Sequence, residues 1–365
     1  SWDQATLGAD FDRYEVYRAT HATVTTADTL LATFDTSTET TFTDTGLSIG
    51  ATYYYKVFVY NTRAAAVPSN ERYTTTVPLG LPFVDSMENL VNWDATGTWG
   101  PDGNTPYEGS FSIADSPGDN YPATTSNEQI LTAVNLSGST RPVLRFWDRG
   151  TFADTYDWGY LEVSTDGSNW SRIYSLTGSK PAWSEQSLDL SRWKTATNLR
   201  IRFVVVSNGS GANDGWYIDD LSIDEQPVGS VAIPFFEDFE AGTGSWLTSA
   251  WAPSADTPHA GAQSARSSTS GIKNYTELAM ELASPLDLTG TTDPQLVFWF
   301  RGITGNNGGF RVQVSTNGGA SWGDLAGASV GENQNLDWTR FQTSLADYRQ
   351  SDLRLRFLVT QSSYD

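Results

Sequence analysis

The chain contains no cysteine, only two histidines and only two methionines in 365 residues. Without cysteine there are no disulfides, iron–sulfur clusters or thiol nucleophiles. Two histidines leave little material for a zinc enzyme or a histidine proton relay. Positive charge is also scarce. Lys and Arg number 22 against 43 Asp and Glu, a net charge of −21. Such a polyanion is repelled by nucleic acid and by anionic lipid surfaces. No apolar run approaches the ~18 residues that a membrane-spanning helix requires.

What is present is aromatic and β-branched. Phe, Trp and Tyr make up 13 % of the chain, and charged residues only 18 %. That is too apolar for a disordered acidic segment, and the length allows two or three cores. Tyr14-Glu15-Val16-Tyr17-Arg18, Tyr53 to Tyr60, Tyr160 to Ser164 and Leu353 to Phe357 alternate with a period of two, the pattern of half-buried strands. Thr40 to Asp44 is expected to be extended through β-branching. Asp166-Gly167 and Asn317-Gly318 are hairpin turn signals. No amphipathic helix longer than a turn or two is visible.

An internal repeat organises the rest. Pro82-Phe83-Val84-Asp85-Ser86-Met87-Glu88 returns as Pro234-Phe235-Phe236-Glu237-Asp238-Phe239-Glu240, and Leu144 to Gly150 returns as Leu296 to Gly302. Val163 to Gly167 matches Val314 to Gly318, Trp170 matches Trp322, and Leu199 to Phe203 matches Leu353 to Phe357. Spacings that drift this little over so long a stretch mark a duplicated domain rather than a solenoid. The fold class expected is all-β, three tandem β-sandwiches, with boundaries at 1–78, 79–226 and 227–365. The joints Pro78 to Pro82 and Gln226 to Gly229 carry proline and are expected to be stiff.

Residues 1–78 resemble a fibronectin type III domain. The resemblance rests on Trp2, Tyr14 to Arg18, and Leu47 followed by Tyr53, which looks like a tyrosine corner. The two repeats resemble jelly-roll modules of the MAM type and modules that trail some secreted metallopeptidases. That match rests on Met87-Glu88 and Phe239-Glu240, the Leu-x-Phe-Trp of each repeat, and the closing Gly215-Trp216-Tyr217-Ile218-Asp219-Asp220. Both ends depart from these patterns. Trp2 normally belongs to a second strand, and Asp365 aligns with Asp214, so a strand is expected to be lacking at each end.

The resemblance implies structural calcium, held by Asp85, Glu88, Asp219 and Asp220 in the first repeat and by Glu237, Asp238, Glu240 and Asp256 in the second. Asp102 and Asp115 are further candidates. Clustered carboxylates suit a hard cation that takes six to eight oxygens. Tyr156, Trp158 and Trp183 are candidate sugar-stacking rings near polar loops. Asn135, Asn169, Asn208 and Asn274 head N-x-[ST] sequons. Ser315 to Trp322 fits the Asp-box pattern, whose plain reading is a hairpin with a packing tryptophan. No His-Glu-x-x-His or other catalytic set is present.

The function expected is that of a non-catalytic, secreted or cell-surface structural or adhesive protein, with calcium stabilising its modules. Its partners would be further copies joined by strand donation, the subunits of a filament or stalk. The alternative is a carbohydrate-binding accessory region of a larger secreted enzyme.

Overall fold

A computed structural model describes the chain except for residues 45–46, 48–50, 124–126, 154–155, 210, 227–228, 268–275 and 362–365 and the side chains of 127–131 and 276. It divides into two compact units, Ser1–Leu79 and Gly80–Asp365.

The first unit is built on one antiparallel sheet. Its strands are β1 (Phe11–Ala19), β2 (Thr29–Phe34), β3 (Thr52–Asn61), β4 (Ala66–Pro68) and β5 (Arg72–Thr75), in the order β2-β1-β3-β4 with β5 also against β3. Inward-facing Tyr17, Ala19 and Val24 pack with Tyr54 and Phe58. Trp2 lies edge-on to Tyr14 at 5.5 Å. The expected strand at Thr40–Asp44 does not form. Side-chain tethering holds this stretch: the Asp44 carboxylate accepts from Arg18 of β1 and Tyr55 of β3.

The second unit contains both repeats. Module 1 has β6 (Phe83–Asp85), β7 (Asp94–Ala95), β8 (Gly100–Asp102), β9 (Ser112–Ala114), β10 (Asn127–Val134), β11 (Pro142–Thr151), β12 (Trp158–Ser164), β13 (Ser171–Leu176), β14 (Ser179–Asp189), β15 (Leu199–Val206) and β16 (Gly215–Glu225). They form two sheets, β13-β12-β15-β10-β7 and β14-β11-β16-β9-β8, with β6 beside β16. Between the sheets Phe146, Phe203 and Trp216 meet edge to face, with centroids 5.3 Å apart for Phe146–Phe203 and for Phe203–Trp216. Such geometry suits the ring quadrupoles.

Module 2 has β17 (Trp246–Thr248), β18 (Ala252–Ser254), β19 (Ser264–Arg266), β20 (Thr276–Leu282), β21 (Gln295–Ile303), β22 (Gly308–Ser315), β23 (Gly323–Val330), β24 (Asn335–Ser344) and β25 (Arg354–Gln361). The order β17-β20-β25-β22-β23 repeats the first sheet of module 1 strand for strand. The second sheet differs: it is present as two separate ribbons, β21-β24 and β18-β19. Alternation in β21 is clean, with Leu296, Phe298 and Phe300 turned inward and Val297, Trp299 and Arg301 outward.

The two modules are held together by a buried ionic cluster. Arg141, 2 % exposed, donates to Glu281 at 2.8 Å and to the carbonyls of Leu282 and Ala283. Arg354 lies 3.9 Å from Glu281 and 3.8 Å from Asp189, and donates to Ser191 at 3.1 Å. Burial, and then the charge of Asp189, push the Glu281 carboxyl up to about 8 despite the guanidinium groups of Arg141, Arg354 and Arg356. Desolvation therefore outweighs the Coulomb attraction here.

Two outcomes are expected. Arg141→Ala removes the donor to Glu281 and to the Leu282 and Ala283 carbonyls, leaves these acceptors unpaired, and lowers unfolding free energy by about 3–5 kcal/mol. The paired change Arg141→Met with Glu281→Leu costs far less; denaturant unfolding measures both, and equal losses would contradict the cluster's role. For pH, a carboxyl with a raised folded pKa takes up a proton more readily folded than unfolded. Its contribution to stability is fullest below the ordinary value of 4.5 and is lost as pH rises through about 8. Thermal midpoints are expected to fall between pH 5 and 8, and Glu281→Gln should flatten that slope.

Candidate functional site

The outer face of β11 and β14 carries an aromatic cluster. Trp147 of β11 is stacked by Tyr107, with ring centroids 3.8 Å apart at 12°. Trp183 of β14 meets Tyr107 nearly edge-on at 6.2 Å. Its indole Nε1 donates to the Thr105 carbonyl at 3.0 Å. Arg149 lies 4.0 Å from the Tyr217 ring centroid, 5.2 Å from that of Trp183, and donates to the Asn104 carbonyl. Tyr107 stays 39 % exposed.

Module 2 builds the same cluster. His259 stacks on Trp299 at 4.0 Å and 22°, and Trp338 meets His259 edge-on at 5.5 Å. Trp338 Nε1 donates to the Thr257 carbonyl at 3.1 Å, and Arg301 donates to the Thr257 hydroxyl. Thr105 and Thr257 share a φ of +53°, a strained value for a β-branched residue and evidence that both loops are held to one shape. Trp299 is 44 % exposed. A cleft of about 800 Å³ runs from Trp147 and Trp183 to Trp251 and Arg266 of module 2. Rings fixed by stacking and by an indole hydrogen bond lose little entropy on meeting a flat apolar ligand face.

The acids expected to bind calcium hold these loops instead. Asp85 accepts from the Met87 backbone, Asn92 and the Trp93 indole; Glu237 accepts from the Phe239 backbone and the Trp246 indole. Glu88 receives the N–H of Ser110, and Glu240 those of Ala262 and Gln263. Gly109 and Gly261, with φ of +69° and +68°, follow from this, since a Cβ there would sit 1.8 Å and 2.3 Å from the glutamate oxygens. Asp219 is fully buried and accepts from the backbone of Tyr107 and Asp220. Asp220 is half-buried, Asp238 accepts from the Glu240 backbone, and Asp256 pairs with Arg266. Asp102 and Asp115 likewise accept backbone N–H groups, from Gly118 and Trp216. Among the described residues no three His, Asp or Glu are placed to share a metal ion. Asp85, Glu88, Asp219, Glu237, Asp238 and Glu240 thus accept hydrogen bonds from the loops they border.

The sugar-stacking candidates separate. Trp183 belongs to the cluster, and Tyr156 is exposed. Trp158 is buried at 5 % exposure against Tyr160 and offers no free face. The sequence marks Trp147 and Trp299 only through the repeated Leu-x-Phe-Trp, and it does not single out Tyr107. Asn169 and Asn208 are exposed, Asn135 is half-buried and accepts from Ser137, and Asn274 lies outside the described residues. The Asp-box stretch is a hairpin: Asn317 accepts from the Ser321 backbone, and Trp322 packs under Arg356.

No family model matches the chain. Bacillopeptidase F of Bacillus subtilis is 27 % identical over 113 residues, which is 31 % of this chain and 8 % of that protein. The chain thus spans less than a tenth of that relative. Among solved structures, the CBM22-1–CBM22-2 tandem of a Paenibacillus barcinonensis protein is similar at 13 % identity and a TM-score of 0.29, over 80 % of this chain and 93 % of that one. The K1 cleaved adhesin domain of Lys-gingipain from Porphyromonas gingivalis is similar at 15 % identity and a TM-score of 0.31, over 40 % and 100 %. At such scores neither likeness bears weight.

Asp219 carries a further expectation. Burial pushes its carboxyl up to about 6, against the lowering effect of the N–H groups it accepts. Carboxyl-carbon NMR should show one aspartate titrating near pH 6 that disappears in Asp219→Asn. Titration near 4 would contradict its burial.

Proposed function

We propose that the chain is a non-catalytic carbohydrate-binding and adhesive region of a secreted or cell-surface protein, with the two aromatic clusters as its sugar contacts. The observation that carries this reading is the duplication of the cluster. Tyr107, Trp147 and Trp183 recur as His259, Trp299 and Trp338, each with an arginine beside it and an indole donating to a threonine carbonyl. Flat rings suit the C–H faces of pyranoses, and the arginines and loop carbonyls suit their hydroxyls. Structural packing alone asks for the rings to be covered, whereas Tyr107 and Trp299 stay well exposed. Among the described residues no helix is long and apolar enough to cross a membrane.

A glycan array with the full chain tests the proposal. Binding to at least one polysaccharide class is expected, with Tyr107→Ala and Trp299→Ala together weakening it by roughly tenfold or more, the equivalent of ~1.4 kcal/mol. Unchanged binding in that pair, with lowered thermal stability, would mean that the rings only pin their loops.

A second reading, a structural subunit that joins neighbours through strands, is favoured by the division of module 2's second sheet into two ribbons.

A further inference from the structure

Module 1 shows what lies between the two ribbons when the sheet is whole. Its order β14-β11-β16-β9-β8 places β16 between β11 and β9. The equivalents in module 2 are β24, β21, β19 and β18. Among the described residues nothing pairs with the second edge of β21 or of β19. A hollow of about 690 Å³ lies between those edges, lined by Phe239, Phe298, Phe300, Phe310 and Phe357 among others. Phe146 and Phe203 of module 1 are fully buried, whereas their counterparts Phe298 and Phe357 are only half-buried. Ile303, on the open edge of β21, is 79 % exposed. Two unpaired edges facing one apolar hollow form a template for a single antiparallel strand.

We infer that module 2 takes one further β-strand into this slot, a peptide segment resembling β16 but with a small side chain where β16 has Trp216. The inference goes beyond the glycan reading and uses different residues.

The chemistry of the occupant follows from the register. In module 1 Gly159 leaves room for the Trp216 ring: a Cβ there would sit 2.6 Å from it. Gly159 pairs with Val205 of β15, and Phe310 pairs with Val359 of β25, two residues beyond the matched Phe203 and Phe357. Phe310 therefore stands in the place of Gly159 and projects where the Trp216 ring lies. Phe300 replaces Asp148, the residue that accepts the Trp216 indole hydrogen, and stacks on Phe310 at 4.3 Å. A tryptophan is thus excluded by volume and has lost its acceptor. Gly302 keeps the position of Gly150, whose missing Cβ lets the β16 backbone approach: a Cβ at Gly150 would meet the Gly215 carbonyl at 2.7 Å. An acidic residue is expected at the Asp219 position. Asp219 accepts the backbone N–H of Tyr107, and among the described residues no acceptor meets that of His259.

The occupant is not β16 of a second copy. That strand is buried along most of its length within module 1, paired to β6, β9 and β11. Lending it would open module 1.

Synthetic peptides test this. A peptide of residues 213–225 carrying Trp216→Val should bind the full chain one to one and raise its thermal midpoint. The same peptide with Trp216 retained should bind roughly tenfold more weakly, because overpacking is costly. Phe310→Gly in the chain should reverse that preference. If this variant fails to fold, the Val-over-Trp ranking on the unaltered chain decides. The inference is overturned if neither peptide binds, if a scrambled peptide binds equally, if the Trp peptide is preferred by the unaltered chain, or if the chain dimerises through this edge and excludes peptide. Glycan binding is read separately on the same samples, so failure here leaves the sugar contacts untouched and their failure leaves this slot untouched.

Discussion

The arrangement of the two modules rests on one cluster of ionisable side chains. Arg141 and Arg354 meet the buried Glu281 and the half-buried Asp189, and the carboxyl of Glu281 is held far above its ordinary range. Replacing such a cluster with apolar groups is often neutral, but removing one member strands its partners. The cluster therefore fixes the relative placement of the modules more than it adds to their stability. On the proposed reading the two aromatic platforms belong to one compact unit, and linked contacts to a single ligand gain from high effective concentration.

Within each module, loop anchoring follows one plan. A carboxylate near the start of the module holds a tryptophan indole, a second holds a glycine-bearing loop, and that loop carries the ring that stacks on the sheet. Module 1 adds Asp219 from β16. The modules differ around the place of the Trp216 ring: Phe300 of β21 and Phe310 of β22 stand where Asp148 and Gly159 serve Trp216 in module 1.

Much of the fold was legible in the sequence, because strand alternation and the repeat survive in the inward-facing residues. Leu144 to Gly150 and Leu296 to Gly302 are matched because they form equivalent strands, β11 and β21. The site was less legible. Tyr107, Trp147 and Trp183 lie on three segments of the chain, and only the fold brings them together. Trp158 and Trp183 look alike in sequence, yet one turns into the core and the other out. Carboxylate counts suggest calcium but say nothing of the backbone and indole donors that Asp85, Glu88, Glu237 and Glu240 meet in the fold. The contact between the modules was not legible either: Arg141 and Glu281 are far apart in sequence and meet only in the assembled unit.

The most direct test of the central claim is calorimetric titration of the full chain with a short oligosaccharide chosen from the array. Two sites per chain are predicted, falling to one when either platform is removed by Tyr107→Ala or Trp299→Ala. Binding that keeps its stoichiometry and affinity with both rings gone would contradict the account.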